Sequence, residues 1–258
     1  MTTNKTEVFE KLHIRGNPLI LFNVWDAGSA AAVAECGARA IATGSWSVAA
    51  AYGFADGENL PLALALENLE RIVKSVELPV TLDFEGGYAT DDHRLGENVK
   101  KVIAAGAVGI NFEDRIVRGE GLYSIGEQAK RIETIRETAE KAGVSLFINS
   151  RTDIFLKNYA DYDETHLDEA IARAEAYARA GASGFFAPGL RRPEYIEKLA
   201  ARAPLPLNIM VLPDAPPNEE LAALGVARIS YGPAPYRQMI ESLKNAARAA
   251  FSGLNAEG

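Results

Sequence analysis

Ala105-Gly106-Ala107-Val108-Gly109-Ile110-Asn111-Phe112-Glu113 is the stretch that decides the fold. It begins where a helical pattern ends, passes through a glycine, and continues as a short apolar run that closes on a carboxylate. Glycine readily takes the left-handed conformation that terminates a helix. An apolar run without alternation is typical of a strand buried on both faces of a parallel sheet. The stretch therefore predicts a helix-to-strand joint whose strand spans Val108–Glu113.

The same joint recurs along the chain. Its copies are Cys36-Gly37-Ala38, Ala105-Gly106-Ala107, Ala142-Gly143-Val144, Ala180-Gly181-Ala182 and Leu224-Gly225-Val226. With three less marked joints they make eight β/α units in 258 residues, which is the size of a TIM barrel. A doubly wound open sheet fits less well, because no Gly-x-Gly-x-x-Gly motif follows the first predicted strand. We predict an α/β protein with a single (β/α)8 barrel domain over residues 1–258.

Apolar runs predict the strands, and apolar residues spaced three and four apart predict the helices between them. The predicted strands are Pro18–Asn23, Arg39–Thr43, Pro79–Asp83, Val108–Glu113, Ser145–Arg151, Gly184–Ala187, Leu205–Met210 and Ala227–Ser230. The clearest predicted helices are Leu62–Val76, His93–Ala105, Glu127–Ala142, Leu167–Ala180 and Pro235–Ala250. The opening segment, Lys5–Gly16, is predicted to be a helix that caps the bottom of the barrel.

The bulk composition argues against several classes of protein. The net charge of −8 and the isolated basic doublets Lys100-Lys101 and Arg191-Arg192 argue against nucleic-acid binding. No apolar run is long enough to span a membrane, and Met1–Glu10 lacks the apolar core of a signal peptide. Cys36 is the lone cysteine, so an intrachain disulfide is impossible, and its place at a helix end predicts a small packed apolar residue. We expect a cytoplasmic protein that acts on a small molecule.

Carboxylates stand at the carboxyl ends of neighbouring strands, where a TIM barrel places its active site. Asp83 and Glu85 lie two residues apart at the end of the third strand, and Glu113 ends the fourth. Carboxylates that converge on one rim repel each other unless a cation lies between them or protons are shared. Oxygen ligands without histidine or cysteine favour Mg²⁺ or Mn²⁺ over zinc. A helix cap or surface ion pair is the alternative for any one carboxylate, but the set favours a metal site.

Arg151 ends the apolar run Leu146-Phe147-Ile148 of the fifth strand. An arginine there needs a carboxylate or a bound anion as its partner. We expect a substrate contact, since a guanidinium binds a carboxylate through two hydrogen bonds; a structural bridge to Glu113 or Asp153 is the alternative. The small residues of Gly44-Ser45-Trp46 could present backbone N–H groups to an oxyanion, although a tight turn would use the same residues.

Other nucleophiles and bases are poorly placed. His13, His93 and His166 lack metal-ligand spacing, so surface or helix-capping roles are expected. No lysine ends a predicted strand, which disfavours a Schiff-base aldolase. Cys36 is predicted near the barrel face opposite the site, which disfavours a role as nucleophile.

Four motifs together resemble the isocitrate lyase/phosphoenolpyruvate mutase superfamily over nearly the whole chain. They are Asn23-Val24-Trp25-Asp26-Ala27-Gly28-Ser29-Ala30, Asp83-Phe84-Glu85-Gly86-Gly87-Tyr88, Gly109-Ile110-Asn111-Phe112-Glu113-Asp114 and Asn149-Ser150-Arg151-Thr152-Asp153. The resemblance implies a TIM barrel whose last helix is swapped between subunits, in a homodimer or homotetramer. It also implies a Mg²⁺ that chelates a 2-oxo acid or its enolate.

The same resemblance implies roles for single residues. The metal would be held directly or through water by Asp56, Asp83, Glu85 and Glu113. The backbone amides of Ser45 and Trp46 would face the oxyanion, Arg151 would bind the acid group of the substrate, and Asn208 would also face the substrate. Arg151, Glu113 and Asp56 are the catalytic residues that it predicts.

Two loops of the superfamily have no counterpart in this chain. The Lys-Lys/Arg-Cys-Gly-His loop of isocitrate and methylisocitrate lyases is missing, and their general acid with it. The Glu-Asp-Lys and Pro-Lys-x-Asn-Ser gating loop of phosphonopyruvate mutases is replaced by 113–122, in which its lysine and asparagine fall on glycines. Ala187-Pro188-Gly189-Leu190 replaces the histidine region of the mutases. Arg115, Arg118 and Tyr123 could form a different lid, or a solvated loop.

These residues predict a Mg²⁺-dependent lyase-type enzyme. It would cleave a C–C bond next to the carbonyl of a small 2-oxo or hydroxy dicarboxylic acid, through a stabilised enolate. Decarboxylation or a retro-aldol step, with water protonating the enolate, is the simplest chemistry without an evident acid. Two alternatives stay open: a phosphonopyruvate or carboxyphosphonoenolpyruvate mutase or hydrolase, and a non-catalytic 2-oxo-acid-binding protein.

Overall fold

A computed structural model of the chain describes residues 4–158 and 161–252. The strands are β1 (Leu19–Leu21), β2 (Ile41–Ala42), β3 (Val80–Asp83), β4 (Gly109–Glu113), β5 (Phe147–Arg151), β6 (Gly184–Phe186), β7 (Leu207–Met210) and β8 (Arg228–Ser230). All pairings are parallel, in the order β1-β8-β7-β6-β5-β4-β3-β2. A parallel bridge between Val24 and Thr43 joins the two ends of this order, with Val24 N donating to Ala42 O at 2.9 Å. The predicted (β/α)8 barrel is confirmed.

Helices surround the strands. They are α1 (Lys5–Lys11), α2 (Ala27–Glu35), α3 (Ser45–Ala51), α4 (Leu62–Ser75), α5 (Asp92–Ala104), α6 (Ile125–Lys141), α7 (Ile154–Lys157), α8 (Glu164–Arg179), α9 (Pro193–Arg202), α10 (Asn218–Ala223) and α11 (Ala234–Phe251). Each predicted strand and helix has a counterpart, with bounds that differ by a few residues at most, except that the predicted helix Lys5–Gly16 already ends at Lys11. The joint glycines Gly37, Gly106, Gly143, Gly181 and Gly225 all have left-handed φ, between 70° and 95°.

The apolar residues that recur along each helix pack against the sheet. In α6, Ile132, Ile135 and Ala139 are completely buried, and they lie three and four residues apart on one face. The strands that they cover supply buried apolar residues on the face that meets the helices, such as Ile110 and Phe112 of β4. Burying one such side chain contributes about 1.5–3 kcal/mol. This two-layer core holds the strand ends at fixed positions.

Helix α1 closes the amino-terminal end of the barrel, here called the bottom. The Asn4 side chain caps it by accepting from Thr6 N at 3.2 Å. Phe9 is fully buried and its ring meets the Phe147 ring edge-on, with centroids 5.3 Å apart. The His13 ring stacks on the Phe147 ring, with centroids 4.2 Å apart. The predicted capping role of the first helix is confirmed.

The histidines differ in their surroundings. His166 forms a capping box with Asp163 at the start of α8, as expected. Of the two roles expected for His13, the structure shows helix capping: its Nδ1 bonds Phe9 O at 2.8 Å at the end of α1, while its Nε2 is buried without a hydrogen-bond partner among the described residues. Burial lowers the pKa of His13 to about 3, and the charge of Arg228 adds to the effect.

Two apolar surfaces stay open on one side of the barrel. Cys36, predicted to be packed, is exposed instead, because it lines an apolar groove with Phe22 and Val33 that none of the described helices covers. Helix α11 is exposed along most of its length: within it Pro235 is buried, whereas Leu243 is 60% exposed and Phe251 90% exposed. Among the described residues no helix has the length and apolar character needed to cross a membrane.

Candidate active site

The carboxyl ends of β3, β4 and β5 bring charged side chains to one edge of the barrel, here called the mouth. Asp83, Glu113 and Arg151 are the last residues of these strands. Asp83 is in register with Asn111, and Glu113 is in register with Arg151. Parallel pairing therefore places on the mouth the residues that the sequence predicted for it.

Arg151 forms ion pairs with both Glu113 and Asp153, the two structural partners that the sequence left open. Its Nη1 lies 2.9 Å from Glu113 Oε2, and its Nε and Nη2 contact the two carboxylate oxygens of Asp153 at 2.6 and 2.9 Å. Burial alone would lower the pKa of Arg151, but the Asp153 and Glu113 carboxylates raise it well above its ordinary value. A guanidinium has five N–H donors, so donors remain after these three contacts. Substrate binding by Arg151 stays a prediction.

A second line of contacts holds this ion pair in place. Asp114 is completely buried and accepts from Asp153 N at 3.0 Å, from Arg173 Nη1 at 3.1 Å and from Tyr177 Oη at 3.0 Å. The backbone of Asp153 is thereby tied to helix α8, and the carboxylate of Asp153 orients Arg151. The sequence reasoning quoted Asp114 and Asp153 within motifs but did not assign them this role.

A network of three residues with left-handed backbones forms the next part of the mouth. Glu58, Glu85 and Tyr88 have φ values of 56°, 51° and 54°. Glu85 accepts from Glu58 N at 2.8 Å and from Tyr88 Oη at 3.0 Å, while Glu58 Oε1 accepts from Tyr88 N at 2.7 Å. Non-glycine residues in this conformation cost on the order of 1–3 kcal/mol each and cluster at functional sites. Glu58 and Tyr88 were missed as site residues, although both stand in segments that the sequence analysis quoted.

Asp83 occupies the centre of the carboxylate cluster, which we define as Asp56, Asp83, Glu85 and Glu113. Burial raises the pKa of Glu85 to about 7 and that of Glu113 well above its ordinary value, and repulsion from Asp83 adds to both. Asp56 is exposed, yet crowding by protein atoms and then repulsion from Asp83 raise its pKa as well. All four carboxylates therefore share one electrostatic environment that favours a cation.

The oxygens of Asp83 are used unequally. Oδ2 accepts from Ser45 N at 2.9 Å, whereas Oδ1 is buried and has no hydrogen-bond partner in the part of the chain that the structure describes. Within residues 4–158 and 161–252, no three His, Cys, Asp or Glu side chains come close enough together to hold one metal ion. This donor set fits a hydrated Mg²⁺, which commonly takes one or two protein carboxylates directly and keeps several waters.

The other predicted substrate contacts have partners within the protein. Ser45 begins α3 directly after Gly44, and its amide donates to Asp83, while the Trp46 ring lies 6.0 Å from that of Tyr236. Asn208 is completely buried in β7, and both ends of its amide bond the Ser230 hydroxyl, at 3.0 and 3.1 Å. The contacts of these residues with an oxyanion or a substrate stay predictions.

The segment that follows Glu113 folds into a hairpin over the mouth. Arg115 and Leu122 form an antiparallel bridge, and Ile116 N donates to Gly121 O at 3.1 Å. A methyl of Val117 lies 2.8 Å from the position that a Cβ would take at Gly86, so only glycine allows this approach. Beside the hairpin lies a cavity of about 770 Å³, with Glu58, Tyr88 and Arg118 in its walls.

Comparison with known proteins places the chain in a family. The family model for phosphoenolpyruvate phosphomutase matches residues 9–251. The crystal structure of a protein from Burkholderia cenocepacia J2315, provisionally named a phosphonomutase, superposes with a TM-score of 0.93 at 51% identity, covering 95% of this chain and 100% of that chain.

Two curated relatives are lyases in name. 2-Methylisocitrate lyase of Escherichia coli (strain K12) is 27% identical over 98% of this chain and 85% of its own length. Oxaloacetate decarboxylase of Bradyrhizobium sp. (strain BTAi1 / ATCC BAA-1182) is 29% identical over 70% of this chain and 60% of its own length. The chain belongs to the isocitrate lyase/phosphoenolpyruvate mutase superfamily and is an enzyme of the lyase type.

Proposed function

We propose that the chain is a Mg²⁺-dependent lyase that cleaves the C–C bond next to the carbonyl of a small 2-oxo or hydroxy dicarboxylic acid. One observation carries the proposal: the buried, unpartnered Oδ1 of Asp83 lies at the centre of a carboxylate cluster. The cation would be held directly by Asp83 and through water by Glu85, Glu113 and Asp56. Bound there, Mg²⁺ supplies a Lewis acid that stabilises negative charge developing on a carbonyl oxygen.

The residues beside the cluster suit a small acid. Arg151 keeps N–H donors free after its contacts with Glu113 and Asp153, and these donors suit a carboxylate of the substrate. Glu113 and Asp153 are almost completely buried, so the guanidinium is held in one orientation. Fixed orientation of a binding group reduces the entropy lost when the substrate binds.

The proposed step balances without a protein acid. The C–C bond breaks, its electron pair moves to the carbon next to the carbonyl, and an enolate results. For an oxaloacetate-like substrate the other product is CO₂, and the enolate is that of a 2-oxo acid. For a substituted malate the C2 hydroxyl gives its proton to water and becomes the carbonyl of the 2-oxo acid, and the enolate is that of the other carboxylate. The enolate then takes a proton from water, which gives a 2-oxo acid in the first case and a simple carboxylic acid in the second.

Phosphonate chemistry is the second candidate, because the relative at 51% identity is provisionally named for it. The hairpin of this chain argues against it, since Gly119 and Gly121 stand where the gating loop of phosphonopyruvate mutases has lysine and asparagine. Glycine supplies neither the charge nor the amide that such a loop would bring to a phosphonate.

A substrate panel separates these reactions. Oxaloacetate, substituted malates and phosphonopyruvate are incubated with the enzyme, with Mg²⁺ or with excess chelator. We expect a 2-oxo acid from a C4–C6 acid only with Mg²⁺, and less of it with Asp83→Asn, while the exposed Glu137→Gln serves as a matched control. Phosphate released from phosphonopyruvate alone would support the second candidate. Binding of the acids without any product would contradict both and point to a sensor.

We infer further that α11 is exchanged between two copies of the chain. In one copy the apolar face of α11 is exposed at Leu243, and the outer side of β1 is exposed at Ile20 (37%) and Phe22 (41%). The groove at β1 encloses about 560 Å³ and is mainly apolar, which suits a helix of the same composition. Mass measured by light scattering is expected to be a dimer or tetramer, and Leu243→Asp to lower it. An unchanged monomer for both proteins would contradict the exchange.

A further inference from the structure

Arg228 is a buried charge inside the barrel that the proposed chemistry does not use. It is the first residue of β8 and is 1% exposed. Its Nη2 donates to Asn111 Oδ1 at 3.0 Å, on β4. Strands β8 and β4 lie on opposite sides of the barrel in the strand order. The side chain therefore spans the interior below the mouth.

The hydrogen bonding of Arg228 is incomplete. Nε and Nη1 are buried and have no hydrogen-bond partner within residues 4–158 and 161–252. Burial lowers the pKa of Arg228 to about 9, and attraction to Asp83 offsets only part of this. A well-packed apolar side chain of similar size would avoid the desolvation penalty. Retaining an unpaired charge in such a place is a sign of function.

The charge of Arg228 acts on Asp83, the central member of the carboxylate cluster. Asn111, the acceptor for Arg228, is in register with Asp83 on the neighbouring strand. Asp83 carries the unpartnered Oδ1, so unsatisfied donors and an unsatisfied acceptor lie in one buried region. Arg151 cannot supply the missing charge, because Glu113 and Asp153 already balance it.

The charge of Arg228 should affect the binding of the cation and of the acid in different ways. A divalent cation neutralises only part of the negative charge of the cluster. The negative charge that remains repels a doubly charged acid, which together with the cation adds no net charge to the site. A fixed positive charge below the cluster attracts that acid and opposes the cation. These two effects have opposite signs, whereas a packing defect would weaken both kinds of binding.

We propose that Arg228 is a positioning residue that supplies fixed positive charge beneath the carboxylate cluster and so selects a dianionic acid as the substrate. This inference rests on the proposed function, because it assumes a cation at Asp83. It assigns to Arg228 the electrostatic selection of the ligand and leaves the reacting atoms to the residues at the mouth.

The test measures binding, not turnover. Arg228→Met removes the charge at similar length, and Arg228→Lys keeps it. Calorimetry gives the Kd of Mg²⁺, and then the Kd of oxalate, a dianion, at saturating Mg²⁺. For Arg228→Met we expect Mg²⁺ to bind on the order of tenfold more tightly and oxalate on the order of tenfold more weakly, the size expected for one buried unit charge. Arg228→Lys should stay near the wild type in both.

The melting temperature of the metal-free protein provides a second readout. Removing an unpaired buried charge should keep or raise it in Arg228→Met. Weaker binding of both Mg²⁺ and oxalate, or no change in either, would overturn the inference. Loss of folding in both Arg228→Met and Arg228→Gln would also overturn it, because Arg228 would then be structural. If the wild-type protein binds no Mg²⁺, the proposed function itself is contradicted.

Discussion

The mouth and the bottom of the barrel differ in the kind of residues that form them: charged residues at the mouth, and aromatic rings at the bottom. The bottom is closed by Phe9, Phe147 and His13, whose rings contact one another: His13 stacks on Phe147, and Phe9 meets both rings edge-on. The mouth carries Glu58, Glu85 and Tyr88, the non-glycine residues of the described chain that have left-handed φ. Stability is concentrated where α1 packs, and strain and repulsion are concentrated where ligands would bind. Substitutions at the two ends should therefore separate activity from stability.

The largest effect is expected at the mouth. Asp83→Asn keeps the shape of the side chain but removes the charge that would hold the cation. Turnover should fall about 10⁴-fold, a barrier change of about 5 kcal/mol. The melting temperature of the metal-free protein should not fall, because the substitution also removes repulsion within the cluster. Loss of stability without loss of turnover would break the comparison of the two ends.

The bottom should respond in the opposite way. Phe9→Ala leaves a cavity against Phe147, and the free energy of unfolding should drop by about 3–5 kcal/mol. Denaturant unfolding measures this, and Mg²⁺ affinity should stay within about twofold. Ile14→Ala, at a neighbouring residue that is 48% exposed, is the control and should change stability by about 0.5 kcal/mol or less.

Stability at the bottom should depend on pH through His13. The folded pKa of about 3 lies below the unfolded value of 6.5, so the unfolded chain takes up the proton first. His13 thus contributes stability that is present above pH 6.5 and is lost as the pH falls towards 3, by about 1.4 kcal/mol per pH unit. Unfolding of His13→Gln and the wild type is compared across this window. Equal slopes for the two proteins would refute the assignment.

The mouth should show the reverse sign through Glu85. In the metal-free protein its folded pKa of about 7 lies above the unfolded value of 4.5. Glu85 therefore favours folding at low pH, and this stability is lost as the pH rises from 4.5 through about 7. Glu85→Gln should remove that loss, by about 1 kcal/mol or more near neutral pH. If the free energy of unfolding of the wild type and of Glu85→Gln changes with pH in the same way, the role of Glu85 is contradicted.

The smallest effect sharpens the comparison within the mouth. Tyr88→Phe removes the hydrogen bond to Glu85 Oε1 without opening a cavity. Burial and then the charge of Glu85 raise the pKa of Tyr88, so the hydroxyl acts as a donor. We expect Mg²⁺ affinity to fall by about 1 kcal/mol, or about fivefold, with little change in stability. An effect as large as that of Asp83→Asn would mean that Tyr88 contacts the ligand itself.

The sequence predicted the fold through local rules. The joint glycines, Gly106 among them, mark helix ends because few other residues take a left-handed φ without strain. Strand-end residues such as Asp83 and Glu113 were predictable as neighbours, because parallel strands end on the same edge. Contacts between distant loops were not, since Glu58 meets Glu85 and Tyr88 only when the loop after α3 folds back across the mouth.

What the sequence alone determined is the order of β/α units and the edge of the barrel at which the carboxylates stand. Both follow from periodicity and chain direction, which act over a few residues. The tertiary structure alone decided the surroundings of the ionisable groups: the double ion pair of Arg151, the stacking of His13 on Phe147, and the incomplete hydrogen bonding of Arg228. A charged side chain on a short strand can face either side of a sheet. Only closure of the barrel turns Arg228 inward, towards Asn111 on the far side.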